Sequence, residues 1–414
     1  MSDSKRYPWL LVGLLWFVAL LNYLDRQMLS TMKPSMMLDI AELKSAANFG
    51  RLMAVFLWIY GWMSPVAGMV ADRIGKKRII VGSLFVWSAV TLAMGYAKTF
   101  DQLYALRALM GVSEALYIPA GLAMIAEFHD SRTRARAIGI HMTGIYMGQA
   151  LGGFGATIAH RFSWQTAFQS FGLIGMAYAL LLAFLLRDGR RESDGSIGDA
   201  QPKAAFGNPF KGLRILLSNP SFWVILLYFA IPSLPGWAVK NWLPTLFAEN
   251  LGIDMTKAGP LSTIAIAGSS LLGVIVGGIL SDRWVSRNLK GRVYTSAIGL
   301  ALTVPAILFI GLGHGLFSVL SAAVFFGFGF GVFDANNMPI LCQFVSQRHR
   351  ATGYGLMNMV GVFAGAFITD WLGKSSDAGS LGRDFAMMAV VVLFALAVQL
   401  LFLKPKSHDF VESR

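Results

Sequence analysis

Apolar residues along the chain occur in long runs that are separated by short clusters of charge. A helix needs about 20 mainly apolar residues to cross the hydrocarbon core of a bilayer. Counting such runs predicts an all-α membrane protein with twelve spanning helices. They cover residues 8–31, 49–71, 79–97, 101–127, 135–158, 165–186, 221–247, 259–281, 293–312, 316–341, 350–372 and 384–403. The first run is too long for a signal peptide and ends in Asp25 and Arg26, so we expect it to remain as helix 1.

Basic residues are distributed unevenly between the two sets of loops. The termini and the even-numbered connections hold 24 of the 35 Lys and Arg residues when Arg136 and Arg350 at the adjoining span ends are counted with them, whereas the opposite loops hold 7. The positive-inside rule therefore predicts that both termini are cytoplasmic, in a plasma membrane protein. The longest stretch between spans, 187–220, is predicted to be a cytoplasmic linker between the halves 1–186 and 221–414, with a short surface helix within 206–218.

An internal repeat supports this division. Gly68 to Asp72-Arg73 after span 2 recurs as Gly278 to Asp282-Arg283 after span 8, at an offset of 210 residues. The pattern Arg-Ala-x-Gly at 136–139 recurs at 350–353, at an offset of 214. Two recurrences near half the chain length predict two pseudo-symmetric six-helix bundles, as in transporters that rock one half against the other.

Composition excludes several classes of protein. The chain is 55% hydrophobic and 14% charged, which argues against a soluble enzyme or a nucleic-acid-binding protein. Its net charge of +13 is explained by topology. The single cysteine, Cys342, allows no intrachain disulfide, and we find no catalytic constellation, no metal-ligand set and no nucleotide-binding module. The glycine-rich stretches 148–155 and 327–331 lie within spans and indicate close helix packing.

The connection after span 2 carries a family signature. The chain resembles the major facilitator superfamily at Gly68, Asp72, Arg73, Gly75, Lys77 and Arg78. This resemblance implies a conformational latch, which Asp282 and Arg283 repeat in a weaker form. The alternative is a basic loop that only sets topology.

Helices 1 and 4 carry a narrower resemblance. Asn22-Tyr23-Leu24-Asp25-Arg26 and Arg107-Ala-Leu-Met-Gly111-Val-Ser-Glu114-Ala115, followed by Pro119, are similar to the anion:cation symporter family. In that family these charged positions bind a carboxylate substrate and couple it to protons. The resemblance thus implies that Asp25, Arg26, Arg107 and Glu114 do so here. Spinster-type lipid carriers show similar runs, which leaves an amphiphile exporter as an alternative.

Helix geometry gives an independent argument. At ~1.5 Å per residue, Arg26, Arg107 and Lys240 each lie roughly 8 to 10 Å below the outer boundary of the membrane. Glu114 is seven residues beyond Arg107, on nearly the same helix face and close to the midplane. Charges at these positions should face a polar cavity, because a charge that faces lipid costs several kcal/mol. The alternatives are structural ion pairs and snorkelling of the cations.

Further polar residues are candidates for the same cavity. Asn336 and Asn337 lie beside Asp334 and Pro339 in span 10, where they bind substrate hydroxyls or only join helices. His141 is a candidate proton carrier, although a packing role is the common one for a lone helix histidine. Residues expected to line the cavity are Asn22, Tyr23, Tyr117, Gln149, Trp242 and Asn358.

These features together predict a monomeric symporter of an organic anion, such as a sugar acid. Protons are the expected coupling ion, membrane lipid surrounds the protein, and no cofactor is expected. A membrane receptor with a transporter-like body is the alternative from another class, and the buried charges argue against it.

Overall fold

The computed structural model describes residues 3–130, 133–187, 209–346, 349–405 and 407, and these are almost entirely helical. The amino-terminal half consists of α1 (Asp3–Asp39), α2 (Ala46–Ile74), α3 (Lys76–Met94), α4 (Phe100–Ala115), α5 (Tyr117–Phe128), α6 (Arg134–Gly152), α7 (Gly155–Arg161) and α8 (Trp164–Leu185). A short helix, α9 (Pro209–Leu217), precedes the carboxy-terminal half. That half consists of α10 (Pro220–Leu251), α11 (Met255–Val285), α12 (Gly291–Leu312), α13 (Leu316–Asp334), α14 (Asn337–Phe344), α15 (Arg350–Asp377) and α16 (Leu381–Phe402).

Three of the predicted spans each consist of two consecutive helices with a short break between them. The breaks lie at Leu116, at Gly153 and Phe154, and at Ala335 and Asn336. Proline has no N–H to donate to the carbonyl four residues earlier. Because of Pro119, the carbonyl of Ala115 has no backbone N–H four residues later to accept a hydrogen bond from. Pro339 has the same effect on the carbonyl of Ala335. The third break lies in a glycine-rich stretch, where the backbone is less restricted.

Ten helices or pairs of consecutive helices are long and apolar enough to cross a membrane. Among the described residues, α2 and the pair α6 and α7, where spans 2 and 5 are predicted, are outside this group. The reason is visible in the packing, since α2 contacts α4 and α15, and α6 contacts α1 and α11. A helix covered by its neighbours need not be apolar on every side. The chain is a multi-pass integral membrane protein.

The two halves have their own helix contacts and meet along two helix pairs. Within the amino-terminal half α1 packs on α6, and α3 packs on α8. Within the carboxy-terminal half α13 packs on α11 and α12, and α12 packs on α16. Between the halves α2 packs on α15, and α6 packs on α11.

Hydrogen bonds join the halves where α1 ends and α2 begins, which we call the closed end. The carboxylate of Asp377, the last residue of α15, accepts hydrogen bonds from the backbone N–H groups of Ala46 and Ala47 at 2.6 and 2.9 Å. The hydroxyl of Ser45 donates to the same carboxylate at 2.7 Å. One half thus caps the first helix turn of the other half.

Glycines bring α6 and α11 together at the same end. A Cβ atom on Gly153 would lie 2.8 Å from the carbonyl oxygen of Gly259, so only glycine allows this crossing. The hydroxyl of Thr263 donates to the carbonyl of Ala150 at 3.0 Å across the same contact. By the charge distribution of the loops, the closed end is the predicted outer end.

The predicted linker is described only in part. Residues 188–208 lie outside the described residues, whereas α9 occupies most of the short helix expected within 206–218. The predicted latch lies at the junction of α2 and α3. Gly75 separates these helices with a φ of 98°, a conformation that favours glycine.

The side chains of the other latch residues are described only in part. Gly68 and the side chains of Asp72 and Arg73 lie outside the described residues. Lys77 and Arg78 lie in the first turn of α3. In the second copy, Asp282 and Arg283 are exposed in the last turn of α11. The latch therefore stays a prediction.

We expect Asp377→Ala to weaken the closed end, because it removes the cap that one half gives to the other. A helix cap contributes about 1 kcal/mol, which corresponds to roughly a fivefold change in the ratio of two conformers. Spin labels at the exposed positions Leu38 and Arg383 report this change, as a larger share of long distances between the labels.

Asp254→Ala is the matched control. Asp254 caps α11 through the backbone N–H of Thr256 at 2.8 Å, entirely within the carboxy-terminal half. Hydrogen bonds from Thr256 hold the pKa of this carboxyl below its ordinary value, so it is ionised at neutral pH like an ordinary cap. A distance distribution that changes equally in both variants would contradict a role of Asp377 between the halves.

Candidate functional site

A buried ion pair joins α1 to α4. The Nε atom of Arg26 lies 2.5 Å from Oε2 of Glu114. The side chain of Arg26 is 10% exposed, and that of Glu114 is 0% exposed. Each charge taken out of water costs several kcal/mol, and the partner offsets this cost only with good geometry. The pair therefore fixes how α1 and α4 face each other.

Aromatic rings surround the guanidinium of Arg26. Its Cζ atom lies 4.8 Å from the ring centroids of Tyr23 and Phe56 and 4.7 Å from that of Tyr60. The Cζ atom of Arg107 lies 4.7 Å from the Phe56 centroid. Phe56 thus contacts both guanidiniums, and the attraction between a cation and a ring face helps to hold two like charges close together.

Gly111 allows α4 to approach α2 at this point. A Cβ atom there would lie 2.7 Å from the carbonyl oxygen of Phe56. The glycine of the helix 4 motif therefore has a packing role, because it brings Arg107 to the Phe56 ring.

Several polar atoms around the ion pair are buried and have no hydrogen-bond partner among the described residues. They are Nη2 of Arg26, Nε of Arg107 and Oδ1 of Asp25. The side chain of Asn22 lies beside Glu114 and interacts with its carboxylate. Leaving one such atom without a partner costs about 1 to 3 kcal/mol. A concentration of such atoms in one place is typical of a site that acts on a ligand or a proton.

Asp25 is a second buried acid beside this pair. It is 4% exposed, and its Oδ2 accepts a hydrogen bond from the Thr91 hydroxyl of α3 at 3.3 Å. Arg107 is 3% exposed, and its charge acts on both Glu114 and Asp25. The four charged residues that the resemblance singles out therefore form one electrostatic cluster.

Lys240 of the other half lies at the same level. The side-chain amide of Gln27, next to Arg26, donates to the backbone carbonyl of Lys240 at 2.9 Å. The Nζ atom of Lys240 lies 5.0 Å from the ring centroid of Trp237. Gln27, Gln149 and Lys240 line a small cavity between the halves.

The polar cluster of span 10 divides into buried and exposed members. Asn337 donates to Oδ1 of Asp334 at 2.9 Å and accepts from the Tyr228 hydroxyl at 3.0 Å, and Tyr228 also bonds to Ser296 at 2.9 Å. Asn336 is fully buried and donates to a carbonyl of its own helix at 2.8 Å. These contacts favour the joining of helices over substrate contact for Asn337, whereas the bond of Asn336 stays within its own span and its Oδ1 has no partner among the described residues. Asp334 is exposed.

Tyr117 and His141 form a separate buried pair. Their ring centroids are 6.0 Å apart, and the Tyr117 hydroxyl donates to the carbonyl of Leu15 at 2.7 Å. Leu15 precedes Arg26 by eleven residues, which is roughly 16 Å along α1. The structure thus places these two candidates away from the ion pair.

The two remaining candidates bind other helices. The indole N–H of Trp242 donates to the carbonyl of Thr369 at 3.0 Å. The amide of Asn358 donates to the Ser64 hydroxyl at 3.2 Å, between α15 and α2. The Trp242 ring also packs on Phe49 of α2, with ring centroids 6.4 Å apart, so both Trp242 and Asn358 lie in contacts between the two halves.

Sequence reasoning missed four residues of this site, namely Gln27, Phe56, Tyr60 and Thr91. Phe56 and Tyr60 are four residues apart, which places two rings on one face of α2. That spacing is a signal that sequence reasoning can use. Thr91 lies in an ordinary apolar helix and gives no such signal.

The sequence profile of the Major Facilitator Superfamily matches residues 15–369. The chain belongs to this superfamily. The predicted membership is confirmed, and so is the expectation that the chain is a transport protein rather than an enzyme.

Several relatives in the superfamily are named as transporters of anions, and some of them as transporters of organic acids. The chain is 25% identical to a probable chloroplastic anion transporter of Oryza sativa, over 97% of this chain and 78% of the relative. It is 25% identical to the 4-hydroxybenzoate transporter of Pseudomonas aeruginosa, over 96% and 92%. It is also 25% identical to the D-galactonate transporter of Escherichia coli, over 74% and 73%.

A solved structure confirms the Major Facilitator fold. A bacterial homologue of the human lysosomal transporter Spinster, in an inward-facing and unoccupied conformation, matches with a TM-score of 0.81. The match covers 96% of this chain and 97% of that chain at 21% sequence identity.

We expect the effects of substitutions at Arg26 and Glu114 on the free energy of unfolding to be strongly non-additive. Arg26→Met leaves Glu114 buried without its partner, and Glu114→Leu does the same to Arg26, so each change should cost about 3 kcal/mol. The double variant should lose far less than the sum of these costs. Thermal unfolding in detergent measures all four proteins of this cycle, and additive losses would show that the two charges do not depend on each other.

Proposed function

We propose that this superfamily member is a proton-coupled symporter of an organic anion, such as a sugar acid or another carboxylate. The observation that carries the proposal is a cluster of opposite charges within the bundle. Its cations are Arg26, Arg107 and Lys240, and its acids are Asp25, Glu114 and Asp334.

The balance of these charges supports coupling to protons. When all six groups are charged, the three cations and the three acids balance, and the unloaded site has no net charge. A monocarboxylate adds one negative charge in a poorly solvated cavity, which is unfavourable unless the charge is neutralised. One proton on one of the acids restores the balance. Anion and proton are therefore most stable when they are bound together.

The ion pair supplies a mechanism for this linkage. Arg26 has one nitrogen on Glu114, while its Nη2 has no partner among the described residues. A proton on Glu114 removes the charge that holds Arg26 and frees the planar guanidinium for a bidentate bond to the substrate carboxylate. Asp25 lies beside the same cations, so the two acids titrate as a coupled set. In this proposal Arg107 and Lys240 add to the positive field, and Asn22, Tyr23 and Gln149 line the path.

The halves 1–186 and 221–414 act in this proposal as two six-helix bundles that rock about the cluster, joined by the linker 187–220. Twelve helices then span the plasma membrane, with both termini in the cytoplasm, and the protein works as a monomer. In this proposal the closed end is the outer end, and its contacts belong to a state that faces the cytoplasm. Asp72 and its neighbours act as the latch of the opposite state.

The names of the relatives support an organic anion as substrate. Galactonate and 4-hydroxybenzoate, the substrates named for two of them, are both carboxylates. The likeness to a Spinster homologue favours a second candidate function, export of an amphiphilic lipid. Binding of a lysolipid to the purified protein that short carboxylates fail to compete away would favour this alternative.

We expect Arg26→Ala to abolish carboxylate binding, and Arg26→Lys to impair it severely because an ammonium cannot form the bidentate bond. A thermal-shift screen of the wild type against sugar acids and short organic acids identifies a ligand, because ligands stabilise the folded state they bind. The affinity of each variant for that ligand is then measured. Arg51→Ala removes an exposed arginine from the start of α2 and should bind normally. Near-normal affinity in Arg26→Ala would refute the assignment.

We expect Glu114→Gln to keep substrate binding and counterflow exchange but to lose accumulation driven by a proton gradient. The amide imitates the protonated acid, so the substrate still binds while the coupling proton has no carrier. Proteoliposomes with and without an imposed pH gradient separate the two activities. If Glu114→Gln still concentrates substrate whereas Asp25→Asn retains only exchange, Asp25 is the carrier.

A further inference from the structure

The repeat pairs the charges of the two halves. Lys240 follows Arg26 by 214 residues, the same offset as that of the repeated Arg-Ala-x-Gly pattern. Glu114 and Asp334 each begin the pattern acid-Ala-x-x-x-Pro, at an offset of 220. Each acid directly precedes the alanine whose carbonyl loses its helical partner to the proline. Lys240 and Asp334 are thus the counterparts of Arg26 and Glu114.

The two pairs differ in whether their charges are in direct contact and in how exposed their acids are. Arg26 and Glu114 form a direct and buried ion pair. The charges of Lys240 and Asp334 act on each other, but in the part of the chain that the structure describes they make no direct ion pair. Asp334 is exposed, whereas Glu114 is not. The second pair is therefore open to a ligand.

Asp334 is held in place and faces the space between the halves. Its Oδ1 accepts the amide of Asn337, which the Tyr228 hydroxyl fixes in turn. Its Oδ2 has no hydrogen-bond partner among the described residues. The charge of Asp334 acts on Tyr23 and Tyr146 of the amino-terminal half and on Tyr354 of α15. Tyr354 is itself 44% exposed.

We propose that Asp334 is a specificity residue, which accepts a hydrogen bond from a hydroxyl or ammonium group that the substrate carries away from its carboxylate. This inference rests on the proposed function. Arg26 and Lys240 attract the carboxylate end, and the oriented Oδ2 atom of Asp334 receives the donor at the other end. A carboxylate without such a donor leaves Asp334 desolvated and unpaired and also repels it, so the site discriminates against that ligand.

Three ligands of equal chain length test this inference. Hexanoate has no donor, gluconate carries hydroxyls and 6-aminohexanoate carries an ammonium group. We expect the wild type to bind at least one of the latter two about tenfold more tightly than hexanoate, as for a hydrogen bond to a charged group. Whichever of gluconate and 6-aminohexanoate binds more tightly identifies the donor as a hydroxyl or an ammonium group. This ranking needs no variant, so it remains informative if a variant fails to fold.

The variants separate recognition of the donor from attraction of the anion. Asp334→Asn should reduce the preference to less than about threefold, and Asp334→Leu should abolish it. Lys240→Gln should weaken all three ligands by a similar factor, because each has the same carboxylate. Asp370→Asn is the control, since Asp370 pairs with Lys374 at 2.7 Å at the other end of α15 from Tyr354.

The outcomes distinguish this inference from the function on which it rests. Equal affinity of the wild type for the three ligands, or an unchanged preference in Asp334→Asn, overturns the specificity role and leaves organic anion transport standing. Absence of binding by any organic acid refutes the proposed function and this inference with it.

Discussion

The ion pair between Arg26 and Glu114 is the constraint on which the site depends, because an apolar bundle does not tolerate an isolated charge. It requires α1 and α4 to meet at one level, and Gly111 allows α4 to come close enough to α2 for Phe56 to contact both guanidiniums. The rings around Arg26 exclude water from the pair. Exclusion of water strengthens the attraction and also makes any change in the protonation of Glu114 costly to its partner.

In the proposed function, this dependence of the ion pair on protonation provides a driving force for movement of the two halves. A change of charge in a buried cluster is large compared with the contacts that hold the halves together at the closed end, each worth about 1 kcal/mol. Those contacts are a helix cap by Asp377, a crossing at Gly153 and a few hydrogen bonds. In the proposed function they are strong enough to define a conformation and weak enough to be exchanged for other contacts when a proton and an anion bind.

The sequence predicts the parts of this arrangement that depend on one helix at a time. A charge within an apolar run must face protein, so Arg26, Arg107, Glu114 and Lys240 are predictable without knowledge of any neighbour. The rotation of one helix against another is not encoded locally. Tyr117 is therefore a candidate for the cavity and His141 a candidate proton carrier on sequence grounds, whereas in the structure Tyr117 bonds to Leu15 and packs on His141. The cap from Asp377 to Ala46 joins residues 331 positions apart, and no local sequence pattern predicts it.

The helix breaks connect the chemistry to the fold. In each half the acid stands immediately before an alanine whose carbonyl has lost its helical partner to a proline. The helix is easiest to bend at that point, since one hydrogen bond fewer resists the change. A shift of the helix changes the distance between an acid at this point and the nearest cation. A change in the charge of the acid acts in turn on the bend of the helix. Because the arrangement occurs in both halves, the two acids are the positions where the proposed function links proton, ligand and helix geometry most directly.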